Sequence, residues 1–504
     1  MTSKYYDAVV LGTELGPLTA GALLARRGYR VLVVGQGGAD DSYDCWGYRF
    51  ARRPFLLPSS ESPIMQRVVE ELGFAQRLQQ VLESPEPRFQ IVENKARVDV
   101  RGRLEETADE LCRELGMRVA QVSAVLERAG GLDGEIGKLL ANDLVIPPES
   151  FFERREFSRA EVQNPFRVVH GPDPIVSALG DERLADLLSI PARQESGMVF
   201  GIQPLVLARQ IGGWLFGCRG VRGGRDGLRR LLSERIVGQG GDLQPRQQVS
   251  EVVVEKGRVV GVRMAGREEV TGSRLVLTDL APGDMAPLVA PGAWTKRFRA
   301  LTEDEPDTCR GYSINLGLDA EVVPRGMAGT VFLRCGPGLG SDLLRVERLP
   351  QPDEERAALN VSCVVEGERV ASIESGALRD EMLDRMRWLV PFLDDYLRVL
   401  HSPFDGFGPL DLTGSPEGEA PPVPHREQVP LWLVRRPPRD GALGIGNLPH
   451  RTGIRGLLLA GAQVVSGLSV EGELLAGWGA ARIAGKLDPG RSRLVRSMRY
   501  RVET

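Results

Sequence analysis

A chain of 504 residues is longer than one ordinary hydrophobic core organises, so two intertwined domains are expected. Hydrophobic residues at 42% and charged residues at 26% are ordinary globular usage, and a net charge of -4 argues against a nucleic-acid binder, which would be basic. The six cysteines (Cys45, Cys112, Cys218, Cys309, Cys335, Cys363) are scattered with no CxxC pair. That argues against a zinc or disulfide scaffold and suits a reducing, cytoplasmic compartment.

The opening Met-Thr-Ser-Lys-Tyr-Tyr-Asp has neither the charged start nor the apolar stretch of a signal peptide. No apolar run is long enough to span a bilayer. Residues 7–11 (Asp-Ala-Val-Val-Leu) form a short apolar run before a glycine, as a buried parallel strand should. From Gly16 the apolar residues Leu18, Ala22, Leu23 and Ala25 recur at helical spacing, Gly28 ends the helix, and residues 30–34 give a second buried strand. Strand, tight turn, helix and strand make a βαβ unit that opens a doubly wound sheet. Next, Leu104, Ala108, Leu111, Leu115, Val119, Val122 and Leu126 step by threes and fours. They mark a long amphipathic helix or helix pair, packed on a core or closing a substrate cavity as a lid.

Residues 227–237 read as another amphipathic helix, followed by three short strands beginning near 248, 258 and 274 with glycine-bearing turns between them. Residues 290–430 mix strands and helices as a second domain, and five prolines make 415–430 an irregular loop. An apolar strand at 456–461 and a helix at 472–487 complete the pattern. The expected fold is α/β, with a doubly wound Rossmann-like domain from residues 1–60, 215–285 and 440–487. A helical cap is expected at 61–214 and an α+β substrate domain at 286–439. The remaining residues, 488–504, form a basic tail. There Arg491, Arg493, Arg496, Arg499 and Arg501 flank Leu494, Val495 and Met498, a pattern that suits a solvated extension or a peripheral contact with an anionic membrane.

A dinucleotide turn needs GxGxxG. The first glycine makes the turn, the second admits the pyrophosphate, the third lets helix and strand pack, and an acid about 20 positions on takes the ribose. This turn reads Gly12-Thr13-Glu14-Leu15-Gly16-Pro17, with Glu14 and Pro17 at the second and third glycine positions. Gly35 stands where the acid belongs. Pro17 is at home in a helix's first turn, where its missing N–H would not bond anyway. The histidines 170, 401, 425 and 450 fit no metal spacing and read as surface or loop residues. Gly441-Ala-Leu-Gly-Ile-Gly-Asn looks like a phosphate loop but has no helix after it, so it reads as a turn.

The later blocks resemble the phytoene desaturase and carotenoid isomerase family, within the FAD-dependent amine oxidase superfamily. Gly223-Gly-Arg-Asp-Gly-Leu-Arg-Arg-Leu-Leu is similar to that family's central G-G-x-x-x-L-x-x-x-L segment. The resemblance implies that Val249, in the strand that follows, meets the adenine. Arg451-Thr-Gly-Ile-Arg-Gly-Leu-Leu-Leu-Ala-Gly461-Ala462 resembles the family's R-T-P-I-x-G-L-x-L-A-G-D, and a glycine-rich turn then leads to Gly472. The aspartate expected to meet the flavin is Ala462. The opening Val10-Leu-Gly-Thr-Glu-Leu15 also resembles the Rab GDP-dissociation inhibitors, which share the scaffold.

The resemblance implies an FAD site formed by Gly12, Thr13, Glu14, Gly16, Gly35, Val249, Gly461, Ala462 and Gly472. The four departures, at Glu14, Pro17, Gly35 and Ala462, lead us to expect FAD bound weakly or not at all. A carboxylate about 4 Å from a phosphate costs on the order of 4 kcal/mol at an effective dielectric near 20. Glu471 and Glu473 also crowd the start of the last helix. Glycine at 14 with acids at 35 and 462 would restore the pattern. Two functions stay open. One is a non-catalytic binder of an apolar, isoprenoid-like ligand or of a protein partner. The other is an FAD-dependent desaturase or isomerase acting on a long apolar substrate.

Overall fold

In a computed structural model the described residues are 5–38, 40–93, 96–166, 174–198, 201–303, 308–336, 338, 341–366, 375–411, 431–436 and 441–487. The first apolar run becomes the wholly buried strand Ala8–Leu11, which turns into the helix Leu15–Arg26. Val31–Val34 pairs with it in parallel, Ala8 opposite Val31. On its other side lies Val276–Thr278, with Leu457–Leu459 beyond, while Asp242–Gln244 closes the far edge. The residues read as strands at 7–11, 30–34 and 456–460 therefore share one five-stranded parallel sheet. Its strands other than Asp242–Gln244 are mostly Val, Leu and Ala because every residue in them is buried, whichever face it points to. Leu15–Arg26 packs between Gly224–Gly238 and Ser469–Leu487.

Chain order across this sheet runs outward in both directions from Ala8–Leu11. The winding reverses between Ala8–Leu11 and Val276–Thr278, and open α/β sheets bind ligands in the crevice at such a reversal. Two of the three strands read in the middle region, Val249–Glu255 and Arg258–Met264, form an antiparallel layer, but its third strand is Val270–Ser273, which the sequence pattern did not mark. The strand expected from 274 is Val276–Thr278 of the parallel sheet.

The second domain is built on a nine-stranded sheet whose centre is the long antiparallel pair Thr308–Asp319 and Arg356–Glu366. One member comes from elsewhere in the chain. The hairpin Phe89–Glu93/Ala96–Val100, within the stretch read as a helical cap, joins this sheet through parallel pairing of Phe89–Glu93 with Thr330–Arg334. The amphipathic run at 104–126 is two helices, Leu104–Leu115 and Val119–Leu140, parted at Gly116, whose φ of 67° suits glycine. Two histidine assignments are corrected. His401 is buried with Nδ1 2.8 Å from the Tyr43 hydroxyl, and His450 is wholly buried with Nδ1 2.8 Å from the Leu459 carbonyl. His170 and His425, the proline-rich loop 415–430 and the basic tail lie outside the described residues. Among the described residues no helix is long and apolar enough to cross a membrane.

Candidate functional site

The crevice opens where the parallel strands end. Gly12 follows Ala8–Leu11 with φ 96°, and its N–H donates to the Val34 carbonyl at 2.9 Å. Gly16, on the first turn of the helix, lies so close to the end of the strand Leu457–Leu459 that a Cβ would strike the Ala460 carbonyl oxygen. Gly12 makes the tight turn of the fingerprint's first glycine, while Gly16, which holds none of the fingerprint positions, lets the helix approach the backbone at Ala460. Pro17 sits in that first turn, all of it buried.

Glu14 is the N-cap residue of this helix, yet its carboxylate caps nothing. It turns into a clasp of three guanidinium groups. Arg53 Nη2 lies 2.9 Å from Oε1, Arg225 Nη2 lies 2.7 Å from Oε2, and Arg229 bonds Oε1 as well. Each arginine is shared. Arg53 also holds Asp41 at 2.8 Å, Arg225 is bidentate to Glu473 at 2.5 and 2.6 Å, and Arg229 pairs with Asp41 at 3.1 Å and Asp226 at 3.0 Å. Asp226 in turn accepts from the backbone N–H groups of Asp41 and Ser42 at 3.2 and 3.1 Å. Three cations here face four carboxylates, so the cluster carries no surplus positive charge for an added anion.

Burial opposes charge on Glu14, but Arg53, Arg225 and Arg229 outweigh it and hold the carboxyl well below its usual range. Asp41 is lowered likewise, with burial opposing and the charges of Arg53 and Arg229 prevailing. Asp279 behaves oppositely. It follows the strand Val276–Thr278, directly across the winding reversal from Gly12, where a Cβ on Gly12 would come within 2.5 Å of its Oδ1. No ion pair reaches it among the described residues. Burial, then the charge of Glu14, pushes Asp279 up to about 7.

Above the crevice lies a cavity of about 360 Å³ between the sheet and the second domain. Glu14, Asp279, Ala462 and Glu473 line its sheet side, while Phe55, Val364, Trp432 and Val434 supply apolar wall. Arg345 and Glu195 face it from the second domain and the helix Ile190–Ser196, forming an ion pair. Beside them Gln194 donates to the Ser362 carbonyl at 3.1 Å, and its Oε1 is buried without a partner. The helices Leu104–Leu115 and Val119–Leu140 contribute nothing to this lining, so they are not its lid.

The remaining expected residues fall into three places. Thr13 and Gly461 stand beside the turn, and a Cβ on Gly461 would press within 2.5 Å of Asp279 Cβ. Gly35 and Val249 lie at the outer end of the crevice. Gly35 N–H donates to Gln244 at 3.1 Å, and a Cβ there would collide with the Pro245 carbonyl, so no acid fits without moving that loop. Gly472 packs in the last helix against the Val465 carbonyl, 2.7 Å from where its Cβ would be, and does not line the cavity. Glu471 does not face the cavity either, being held bidentately by Arg209 at 2.8 and 2.9 Å. Sequence reasoning missed Arg53, Arg225, Arg229, Gln36 and Asp279. Only one signal was available for them: Arg225 and Arg229 sit four apart at a helix N-terminus, where cations are disfavoured unless an acid awaits them.

No protein-family model matches the chain. Prolycopene isomerase of Arabidopsis thaliana is 22% identical over 349 residues, covering 63% of this chain and 55% of that protein. The enzyme of the same name from Daucus carota is 22% identical over 339 residues, covering 64% and 54%. The chain thus spans about half the length of these relatives. Among solved structures, an oxidoreductase from Methanosarcina mazei superposes with a TM-score of 0.56 at 16% identity, covering 94% of this chain and 98% of that one. Cyclohexylamine oxidase from Brevibacterium oxydans gives 0.53 at 14%, covering 96% and 100%. These likenesses establish the fold.

Proposed function

We propose that this phytoene desaturase-like member of the FAD-dependent amine oxidase superfamily holds FAD weakly or not at all, and acts as a binding protein whose ligand occupies the inter-domain cavity. The clasp around Glu14 carries this reading. A flavin's diphosphate would belong at the N-terminus of the first helix, where backbone N–H groups and nearby cations favour anions. Here a carboxylate of the chain already stands among the cations, and four acids outnumber three arginines. Two added phosphate charges would meet Glu14 at a cost on the order of 4 kcal/mol each at contact distance, roughly a thousandfold in affinity per charge. Ala462 adds no polar group on that side, and the loop at Pro245 leaves Gly35 no room for one. The residues present do not fit a bound diphosphate.

The cavity is small for a ligand site, near the lower end of the usual range, and mixes aromatic and aliphatic walls with ion-paired groups. It suits an amphiphile, such as the polar end of a prenyl or polyene chain, better than a wholly apolar molecule. A flavin-dependent isomerase or desaturase is the competing reading, favoured by the intact Gly12 and Gly16 geometry.

One purification separates the two. The absorbance spectrum of the full chain should show far less than one flavin per protein, and a fluorescent polyene acid should bind the wild type but not Val364→Trp, which fills the cavity. Tightly bound stoichiometric flavin would overturn the reading.

A further inference from the structure

Gln36 stands just beyond Gly35 with a backbone φ of 57°, a conformation that strains any residue with a side chain. That conformation lays its carboxamide along the peptide edge of Val249. Nε2 donates to the Val249 carbonyl at 2.9 Å, and Oε1 accepts from the Val249 N–H at 2.8 Å. A donor and an acceptor side by side, in this order, are also what the amino-pyrimidine edge of adenine presents. Carboxamide and adenine are therefore interchangeable against one peptide edge.

The position agrees with the chemistry. A dinucleotide laid across this crevice puts its diphosphate at the first helix, its ribose by the end of the second strand and its base beyond. Glu14 fills the first of these places with a carboxylate, the Pro245 carbonyl closes the second, and Gln36 lies at the third. We propose that Gln36 is an internal surrogate for an adenine base, holding the Val249 peptide edge and keeping the outer crevice shut to adenine nucleotides. This rests on the reading of a flavin-poor groove and adds to it a residue and the ligand class that residue excludes.

The test is Gln36→Gly, which suits the positive φ and frees both Val249 groups. The Gln36 N–H still donates to the Gln247 carbonyl at 3.0 Å, so the backbone stays anchored. Full-length wild type and variant are titrated calorimetrically with AMP and with IMP, whose base reverses the donor–acceptor order. The variant should gain about tenfold or more in AMP affinity, the worth of two hydrogen bonds, and nothing for IMP. An equal gain for both nucleotides means a loosened loop and overturns the proposal, as does no gain for AMP in a folded variant. Should Gln36→Gly fail to fold, Gln36→Ser carries the same test, because its side chain is too short to reach Val249. A wild type that already holds stoichiometric flavin would defeat the underlying reading instead, whatever the variants do.

Discussion

Replacing Glu14 by glutamine keeps its shape and removes its charge, so it isolates what the carboxylate does. Each of the three guanidinium contacts is worth on the order of 4 kcal/mol of attraction at an effective dielectric near 20, before desolvation is subtracted. Breaking a buried pair by removing one partner costs about 3–5 kcal/mol when the other charge is stranded. None is stranded here, since Arg53 keeps Asp41, Arg225 keeps Glu473, and Arg229 keeps Asp41 and Asp226. The expected loss is therefore at or below the low end, about 2–3 kcal/mol, read as a lower midpoint in urea unfolding. FAD affinity should move the other way and rise ten- to a thousandfold, followed by quenching of flavin fluorescence on titration. The two readouts are coupled by the same charge. If Glu14→Gln loses stability without gaining flavin affinity, Glu14 is structural and does not bar the diphosphate. If it loses neither, the clasp contributes nothing and the reasoning fails.

Other expectations follow from the same geometry. Asp279 titrates near 7 in the fold and near 3.9 when unfolded, so the native state holds its proton more tightly. Its contribution to stability is present below pH 4 and lost as pH rises from there through 7, so Asp279→Asn should stabilise by about 4 kcal/mol at pH 8 and by almost nothing at pH 3. Equal effects at both pH values would show that its carboxyl is not the group concerned. Glu14, with its lowered value, gives stability that is lost in acid, so Glu14→Gln should matter least below pH 3. Arg209→Met strands Glu471 and Asp133, and urea unfolding should register about 3–5 kcal/mol lost. Gly35→Glu should lower stability rather than raise flavin affinity, because its Cβ meets the Pro245 carbonyl; a gain in affinity without loss of stability would mean that the loop yields freely. Leu115→Asp should leave polyene binding unchanged, since its helix does not line the cavity.

What could be read from the chain, and what could not, divides along physical lines. The strands Ala8–Leu11, Val31–Val34 and Leu457–Leu459 were legible because burial on both faces makes each an unbroken apolar run beside glycine. The helix Ser469–Leu487 was placed only three residues late. The hairpin Phe89–Val100 was lost inside an assumed helical region, because its partner Thr330–Arg334 is more than 200 residues away and local pattern says nothing of pairing. The site shows the same limit more sharply. Glu14, Gly35 and Ala462 stood out as departures from a spacing, but their consequence depended on neighbours far along the chain. Glu14 alone suggested only a carboxylate in the path of a phosphate. Arg53, Arg225 and Arg229 hold it instead, half-buried, in an ion-paired clasp. His401 and His450 failed for a related reason, since a buried histidine satisfied by a hydroxyl or a carbonyl leaves no mark in sequence.

The departures in the crevice are easier to understand together than apart. Had the groove merely drifted, some losses would leave arginines or carboxylates buried without partners, each costing several kcal/mol. Instead Arg53, Arg225 and Arg229 each hold two or more carboxylates, Glu473 is bidentate, and the peptide edge of Val249 is fully bonded by Gln36. A protein that binds a cofactor only in its folded state draws stability from that binding in proportion to the logarithm of cofactor concentration over its dissociation constant. Side chains that fill the same places supply a comparable contribution at fixed local concentration, and the strain at Gln36 is what such a replacement entails. Asp279 is the exception that locates the remaining chemistry. Among the described residues it is the carboxylate at the winding reversal that no cation pairs, and it lines the cavity. On the reading proposed here, the crevice below the cavity has become framework, and recognition has moved up to Asp279, Gln194 and the aromatic wall.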